Sequence, residues 1–260
     1  MKKRYLRTSD LAREIGIHPN TVRQYEAWGF LPPIPRSPKG YRRFTKVHLE
    51  QMRLAYMALK WPYPGGSREL VAGMVRRAAG GDLGGALEDA YTYLARIHAE
   101  QAQAEAAAEY LERWARGAVV DAVGKPLLIG QVARRLGVTK DALRNWERNG
   151  LIQTPRDPQT GYRLYGGREL GRLRVIRTLR QAGYSLMALL RMLTFFDRYG
   201  AEEVDLRLIL DTPRPDENPD TEEDLIHVTD RWLTTLAAQE TRARALIDQL
   251  ERMLSASADL

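Results

Sequence analysis

Arg23 and Gln24 stand side by side in TVRQYEAWGFL (residues 21–31), and Arg144 and Asn145 stand side by side in ALRNWERNGLI (142–152). A guanidinium beside a neutral amide has a definite chemical use. The amide pairs bidentately with adenine and the guanidinium with guanine or a phosphate, so the pair suits the reading of base edges in a DNA major groove. An ordinary amphipathic helix can show the same face, and the pair alone does not separate the two readings.

No other reactive set competes. The chain has no cysteine, which removes disulfides, thiolate catalysis and thiolate metal sites. His18, His48, His98 and His227 are scattered without ligand spacing and read as ordinary surface or core histidines. With no Gly-rich phosphate loop, nucleophile motif or paired-carboxylate site, no enzyme, cofactor or metal is expected.

The two segments belong to a longer repeat. At an offset of 121 residues, read without a gap, LAREIGI (11–17) falls on VARRLGV (132–138), GYRRF (40–44) falls on GYRLY (161–165), and Leu49 and Arg53 meet Leu170 and Arg174. A duplicated unit of domain size fits a 260-residue chain. Charge follows the repeat. Residues 1–60 hold 13 Lys or Arg against 4 Asp or Glu, residues 125–181 hold 13 against 4, and the rest carries a net −11 within a total of +7. Two equal basic patches on an otherwise acidic chain are the footprint expected of contact with a polyanion at two places. Composition, at 44% hydrophobic and 28% charged, fits a soluble globular protein. No window approaches a membrane span, and MKKRYLRT is not followed by the apolar stretch of a signal peptide, so a cytoplasmic chain is expected.

The elements that must position these residues are legible. Thr8–Ile15 reads as a helix capped by Thr8 or Ser9 and ended by Gly16; a second helix starts at His18-Pro19-Asn20 and runs to about Trp28 before Gly29. On it Val22 and the flanks of Tyr25 and Glu26 turn inward, while Asn20, Arg23, Gln24 and Ala27 turn outward; the second copy turns out Asp141, Arg144, Asn145 and Arg148. FLPPIPRSPKGYRRFT and LIQTPRDPQTGYRLYG then read as basic hairpins, with Arg36, Lys39, Arg42 and Arg43 in one and Arg156 and Arg163 in the other.

In this order of motifs the chain resembles the MerR-type transcription regulators: helix-turn-helix, Arg-x-aromatic-Glu, Gly-Leu, then a wing with Gly-Tyr-Arg-x-Tyr. The resemblance covers roughly residues 5–80 and 126–197. The second copy has the fuller pattern, RNWERNGLI, GYRLY and LRQAGYSL (179–186), whereas the first has WGFL and WPYPGGS in the corresponding places. The resemblance implies DNA contacts from Asn20, Thr21, Arg23, Gln24, Tyr25, Arg36, Lys39, Tyr41, Arg42 and Arg43, and from Thr139, Lys140, Arg144, Asn145, Trp146, Arg148, Arg156, Tyr162, Arg163 and Tyr165.

The expected fold is mainly α: two winged helix-turn-helix domains with small β-hairpin wings, each followed by a long helix. The expected division is a first DNA-binding domain at 1–80, a long helix at 84–116, a linker at 117–125, a second domain at 126–198, an acidic Pro-rich insertion at 199–221 and a second long helix at 222–257. Leu87, Ala90, Leu94, Ile97, Gln101, Ala104, Ala108, Leu111 and Ala115 form one alternating seam; Trp232, Leu236, Gln239, Ala243, Leu246, Leu250 and Met253 form the other. In the family such helices pair antiparallel between two subunits, so here the expectation is an antiparallel coiled coil within one chain, a pseudo-dimeric monomer. The resemblance implies promoter duplex DNA as partner, read as an imperfect inverted repeat and distorted so that RNA polymerase can use it. Metal-sensing members use cysteines after the long helix, and drug sensors carry a further domain there; neither is expected in this chain. An apolar small-molecule effector is a further candidate, through Trp61, Tyr63, Tyr91, Tyr93, Phe195, Phe196, Tyr199 and Trp232, although core packing is the better account of such a set. The rival functions are a small-molecule-binding helical bundle and an architectural protein that bends DNA without sequence preference.

Overall fold

Helices make up most of the protein. The computed structural model describes residues 5–63, 66–118, 123–202, 205–212 and 230–258, and among them eleven α-helices follow one another. They are α1 (Thr8–Ile15), α2 (Pro19–Ala27), α3 (Lys46–Leu59), α4 (Arg68–Ala79), α5 (Leu83–Ala115), α6 (Ile129–Leu136), α7 (Lys140–Arg148), α8 (Gly167–Gln181), α9 (Leu186–Tyr199), α10 (Leu206–Asp211) and α11 (Trp232–Ala258). Two compact units result: unit 1 within residues 1–98 and 237–260, and unit 2 within residues 99–236. No helix among the described residues is long and apolar enough to cross a membrane.

In unit 1, Leu11 and Ala12 bury one side of α1, and Val22 and Tyr25 one side of α2. Gly16 ends α1 at φ 80°, a left-handed conformation that costs other residues roughly 1–2 kcal/mol, and Gly137 repeats it at φ 63° after α6. The cap of α1 differs from expectation. Arg7 holds the N-cap position, and the Asp10 carboxylate, three residues on, reaches back to accept the Arg7 N–H at 3.0 Å. A carboxylate there also sits well in the field of the helix N-terminus, which Thr8 or Ser9 would not exploit.

The wings are loops pinned by single bridge pairs. Leu6 pairs with Phe44 and Arg36 with Arg42 in unit 1; Leu127 pairs with Tyr165 and Arg156 with Arg163 in unit 2. Pro32, Pro33, Pro35 and Pro38 have no N–H to donate, nor do Pro155 and Pro158, so a continuous ladder does not form. The ungapped offset also fails here. Ser37 N–H donates to the Tyr41 carbonyl and Asp157 N–H to the Tyr162 carbonyl, both at 2.8 Å. Ser37 and Asp157 are therefore equivalent: unit 1 has one more residue before the turn, and unit 2 has one more within it.

Unit 1 is closed from far along the chain. Ala86, Ala90, Tyr93 and Ile97 of α5 and Ala243, Leu246 and Leu250 of α11 join a core with Leu11, Phe44, Met52 and Met74. Tyr91 donates its phenolic hydrogen to Glu251 and His98 faces Glu240, each at 3.2 Å, so these two stretches run antiparallel. Unit 2 has its own core of α6 to α10, completed by Ala104, Ala107 and Leu111 of α5 and by Trp232 and Leu236 of α11. Trp232 donates Nε1–H to the Ala182 carbonyl at 2.7 Å, and a Cβ on Gly183 would lie 2.6 Å from its ring, which is why a glycine stands in that turn.

All seven seam residues expected on α11 are buried. On α5 the buried face is broader than a two-helix seam: Ala86, Tyr93 and Ala107 are buried as well, while Leu87, Gln101 and Ala115 are half-buried. The cause is that α5 contributes to the core of each unit and not to a partner helix alone. A short helix, α10, lies where an insertion was expected, anchored by buried Leu206 and Leu210. Residues 213–229, including the acidic part of that insertion and His227, lie outside the described residues. Of the aromatic set, Tyr93 and Trp232 are buried, and Tyr91, Phe195 and Tyr199 are exposed.

Candidate nucleic-acid interface

Capping starts each reading helix at a fixed place. His18 Nδ1 accepts the Asn20 N–H at 3.2 Å ahead of α2, and Thr139 Oγ1 accepts the Ala142 N–H at 3.0 Å ahead of α7. The inner faces are held by Val22 and Tyr25, and by Leu143 and Trp146. That leaves Asn20, Arg23 and Gln24 exposed on α2, and Lys140, Arg144, Asn145 and Arg148 exposed on α7. Arg23 donates to Asn20 Oδ1 at 2.6 Å and Arg144 to Asp141 Oδ1 at 2.9 Å, so each guanidinium is steered by the residue one turn earlier. Asn145 accepts from the Asn149 amide at 2.9 Å. Thr21 is half-buried, and Thr139 is exposed beside its cap.

Three of the expected contacts are placed elsewhere. Tyr25, Trp146 and Tyr165 are in the cores, the last 1% exposed, the first two because they lie on the buried faces of α2 and α7. Burial pushes the Tyr25 and Tyr165 hydroxyls above their usual range. Arg42 and Arg163, also expected on DNA, are engaged internally. Arg42 Nε donates to Glu26 at 2.7 Å and Arg163 Nε to Glu147 at 2.6 Å, tying each wing to its reading helix. Both partners of each pair are more than two-thirds buried, where a charge pair is worth more than at an exposed site.

The remaining wing residues point outward. Arg36, Lys39 and Tyr41 are exposed in one wing, and Arg156 and Tyr162 in the other. Arg43 is half-buried with its guanidinium 5.1 Å from the centre of the Tyr5 ring. In unit 2 a cleft of about 730 Å³ runs between α6, α7 and the wing, and its walls include Arg134, Lys140, Arg144, Arg156 and Arg163. Arg134 was not singled out from the sequence; its signal is an exposed position on α6 beside buried Ala133. Arg163 and Arg144 are paired with Glu147 and Asp141, while Lys140 and Arg156 are exposed beside the amide and guanidinium of α7, an arrangement whose chemistry suits an anion.

Comparison with known proteins agrees in kind. The family model described as MerR HTH family regulatory protein matches residues 6–60 and 127–195. The mercuric resistance operon regulatory protein of Bacillus cereus is 36% identical over 70 residues, 27% of this chain and 53% of that protein. The HTH-type transcriptional regulator CueR of Salmonella typhi is 38% identical over 58 residues, 22% of this chain and 42% of its own length. A probable heavy metal-dependent transcriptional regulator of Haemophilus influenzae is 35% identical over 69 residues, 26% of this chain and 54% of its own. The chain thus spans about half the length of the relatives it matches. No solved structure matches it.

Proposed function

From two MerR-type helix-turn-helix regions in one chain, at residues 6–60 and 127–195, we propose a DNA-binding transcriptional regulator that reads an imperfect inverted repeat in promoter DNA with unequal halves. The observation that carries this reading is the doubled arrangement of an exposed guanidinium and amide, Arg23 with Gln24 and Arg144 with Asn145, on helices each tied to a wing by an Arg–Glu pair. Base edges are read by those four side chains. Phosphates are held by the exposed wing and cleft cations, among them Arg36, Lys39, Arg134, Lys140 and Arg156. Tyr41 and Tyr162, exposed near the wing tips, pack against the sugar-phosphate chain.

Two reading helices that differ in sequence fit two half-sites that differ, an option closed to a strict homodimer. The chain acts as its own pseudo-dimer, with α5 and α11 pairing antiparallel as a coiled coil, and it distorts the promoter so that RNA polymerase can use it. The names of two relatives speak of mercury and of heavy metals; this chain has no cysteine with which to hold a metal as a thiolate.

Selection of binders from a random duplex pool tests the reading. Enrichment of one two-part site, its unequal halves about one or two helical turns apart, is the expected result. Recovery that tracks only total DNA overturns it in favour of an architectural role.

A further inference from the structure

Resting on the DNA-binding reading, the charges of the two repeats point further, because they are arranged in opposite ways. The first helix pair, residues 8–28, carries two cations against three carboxylates, whereas the second, residues 129–149, carries five against two. The wings reverse this. Residues 30–44 have four cations and no carboxylate, and residues 151–165 have two cations and one carboxylate. The repeats as wholes are almost alike, at net +3 and +4, so the contrast lies in where the charge sits.

Local structure sharpens the contrast. In unit 1, Asp10 lies 3.9 Å from Arg13, and Glu14 is exposed next to it, so α1 offers little to a phosphate. At the matching places in unit 2, Gln131 replaces Asp10 and Arg135 replaces Glu14, and Lys140 and Arg148 stand where Pro19 and Ala27 stand in unit 1. Lys140 and Arg148 are exposed, and no carboxylate pairs with them among the described residues. In the first wing Lys39 is exposed at the tip and Arg43 lies over Tyr5. In the second wing Thr160 and Leu164 take those positions, and Asp157 sets a carboxylate in the turn. The N–H groups of Thr160 and Gln159 donate to that carboxylate at 2.8 and 2.9 Å, and hold it below the usual carboxylate range, so it stays charged.

We propose that unit 1 grips the phosphate backbone of duplex DNA through its wing, by Lys39 and Arg43, and unit 2 through its helix pair, by Lys140 and Arg148. Each half-site is then held by a different element. The complex acquires a direction from phosphate contacts alone, before any base is read.

Three variants of the full chain, each losing two positive charges, test this: K39Q/R43Q, K140Q/R148Q and R13Q/R156Q. Fluorescence anisotropy with a labelled mixed-sequence duplex, titrated at several salt concentrations, gives the slope of log affinity against log salt. Each phosphate contact contributes about 0.9 to that slope. The first two variants are expected to lower it by nearly two contacts each, and the third, in which Arg13 already faces Asp10 and only Arg156 meets a phosphate, by about one. Equal losses in all three overturn the proposal while leaving DNA binding intact. Failure of the unaltered chain to bind the duplex at low salt overturns the DNA-binding reading instead. Should loss of Arg43 unfold the wing, Lys39→Gln alone carries the test, with a loss of about one contact expected and no loss overturning it.

Discussion

Gln51 in unit 1 and Arg172 in unit 2 occupy equivalent positions on α3 and α8 and meet the same need with different chemistry. Each satisfies the carbonyl at the end of the preceding turn: Gln51 Nε2 donates to Phe30 at 3.0 Å, and Arg172 Nε donates to Leu151 at 2.6 Å. Gln51 then spends its second hydrogen on Val75 at 2.9 Å, inside the core, while Arg172 reaches Asp197 with two bonds of 2.5 and 2.8 Å at a more open site. The helix starts nearby differ in the same way. His48 Nδ1 accepts the Thr45 N–H at 3.1 Å, where Glu169 accepts the Gly166 N–H at 2.9 Å. The Arg–Glu pair between wing and reading helix, by contrast, is the same in both. The buried supports tolerate any donor or acceptor that fills the bond, whereas the wing tie needs a planar guanidinium against a carboxylate.

The largest expected break in the comparison is at the reading faces. Arg23→Ala and Arg144→Ala should each cost about 1–3 kcal/mol of DNA binding, measured by anisotropy on the selected site, and far more than deletion of residues 213–221. Equal effects would remove both residues from the reading role. Next come the carbonyl supports. Gln51→Leu and Arg172→Met should each destabilise their own unit by about 2 kcal/mol, because a buried carbonyl is left without a donor. Hydrogen exchange resolved by peptide separates the units; only the Arg172 contribution should shrink at high salt, and a salt-independent loss would mean that Asp197 adds nothing.

Glu26→Gln and Glu147→Gln should cost about 1 kcal/mol each, with the local wing exchanging faster and the other wing unchanged. Unequal costs would show that the two ties are not equivalent after all. The smallest effect is on pH. Burial lowers the His48 pKa from its usual 6.5, since the folded site stabilises the neutral ring that accepts from Thr45. The unfolded chain therefore takes up the proton first, so this contribution to stability is complete above pH 6.5 and is lost as pH falls below it. Protection in α3, taken relative to the intrinsic exchange rate at each pH, should fall on acidification from neutral pH, while protection in α8, started by Glu169, stays level over the same range. Replacement of His48 by Glu should flatten the α3 response; an unchanged response would clear His48 of responsibility.

The short-range features are all written in the residues themselves. Helix starts and stops at Pro19, Gly16 and Gly137, and the outward turn of Arg23, Gln24, Arg144 and Asn145, follow from capping and from the 3.6-residue period, which act over a few neighbours. Other features depend on groups distant in sequence. The tie of Arg42 to Glu26 spans 16 residues and replaces a surface role for a basic residue, a choice no periodicity signals. The slip of the wing register is set by which N–H meets which carbonyl, and proline spacing decides that only once the loop has folded back on itself. The core of each unit is completed by different stretches of both α5 and α11, from stripes that look alike in sequence. Amphipathic periodicity states that a face must be buried but not against what, so the sequence determined which residues turn inward and tertiary packing alone decided whom they meet.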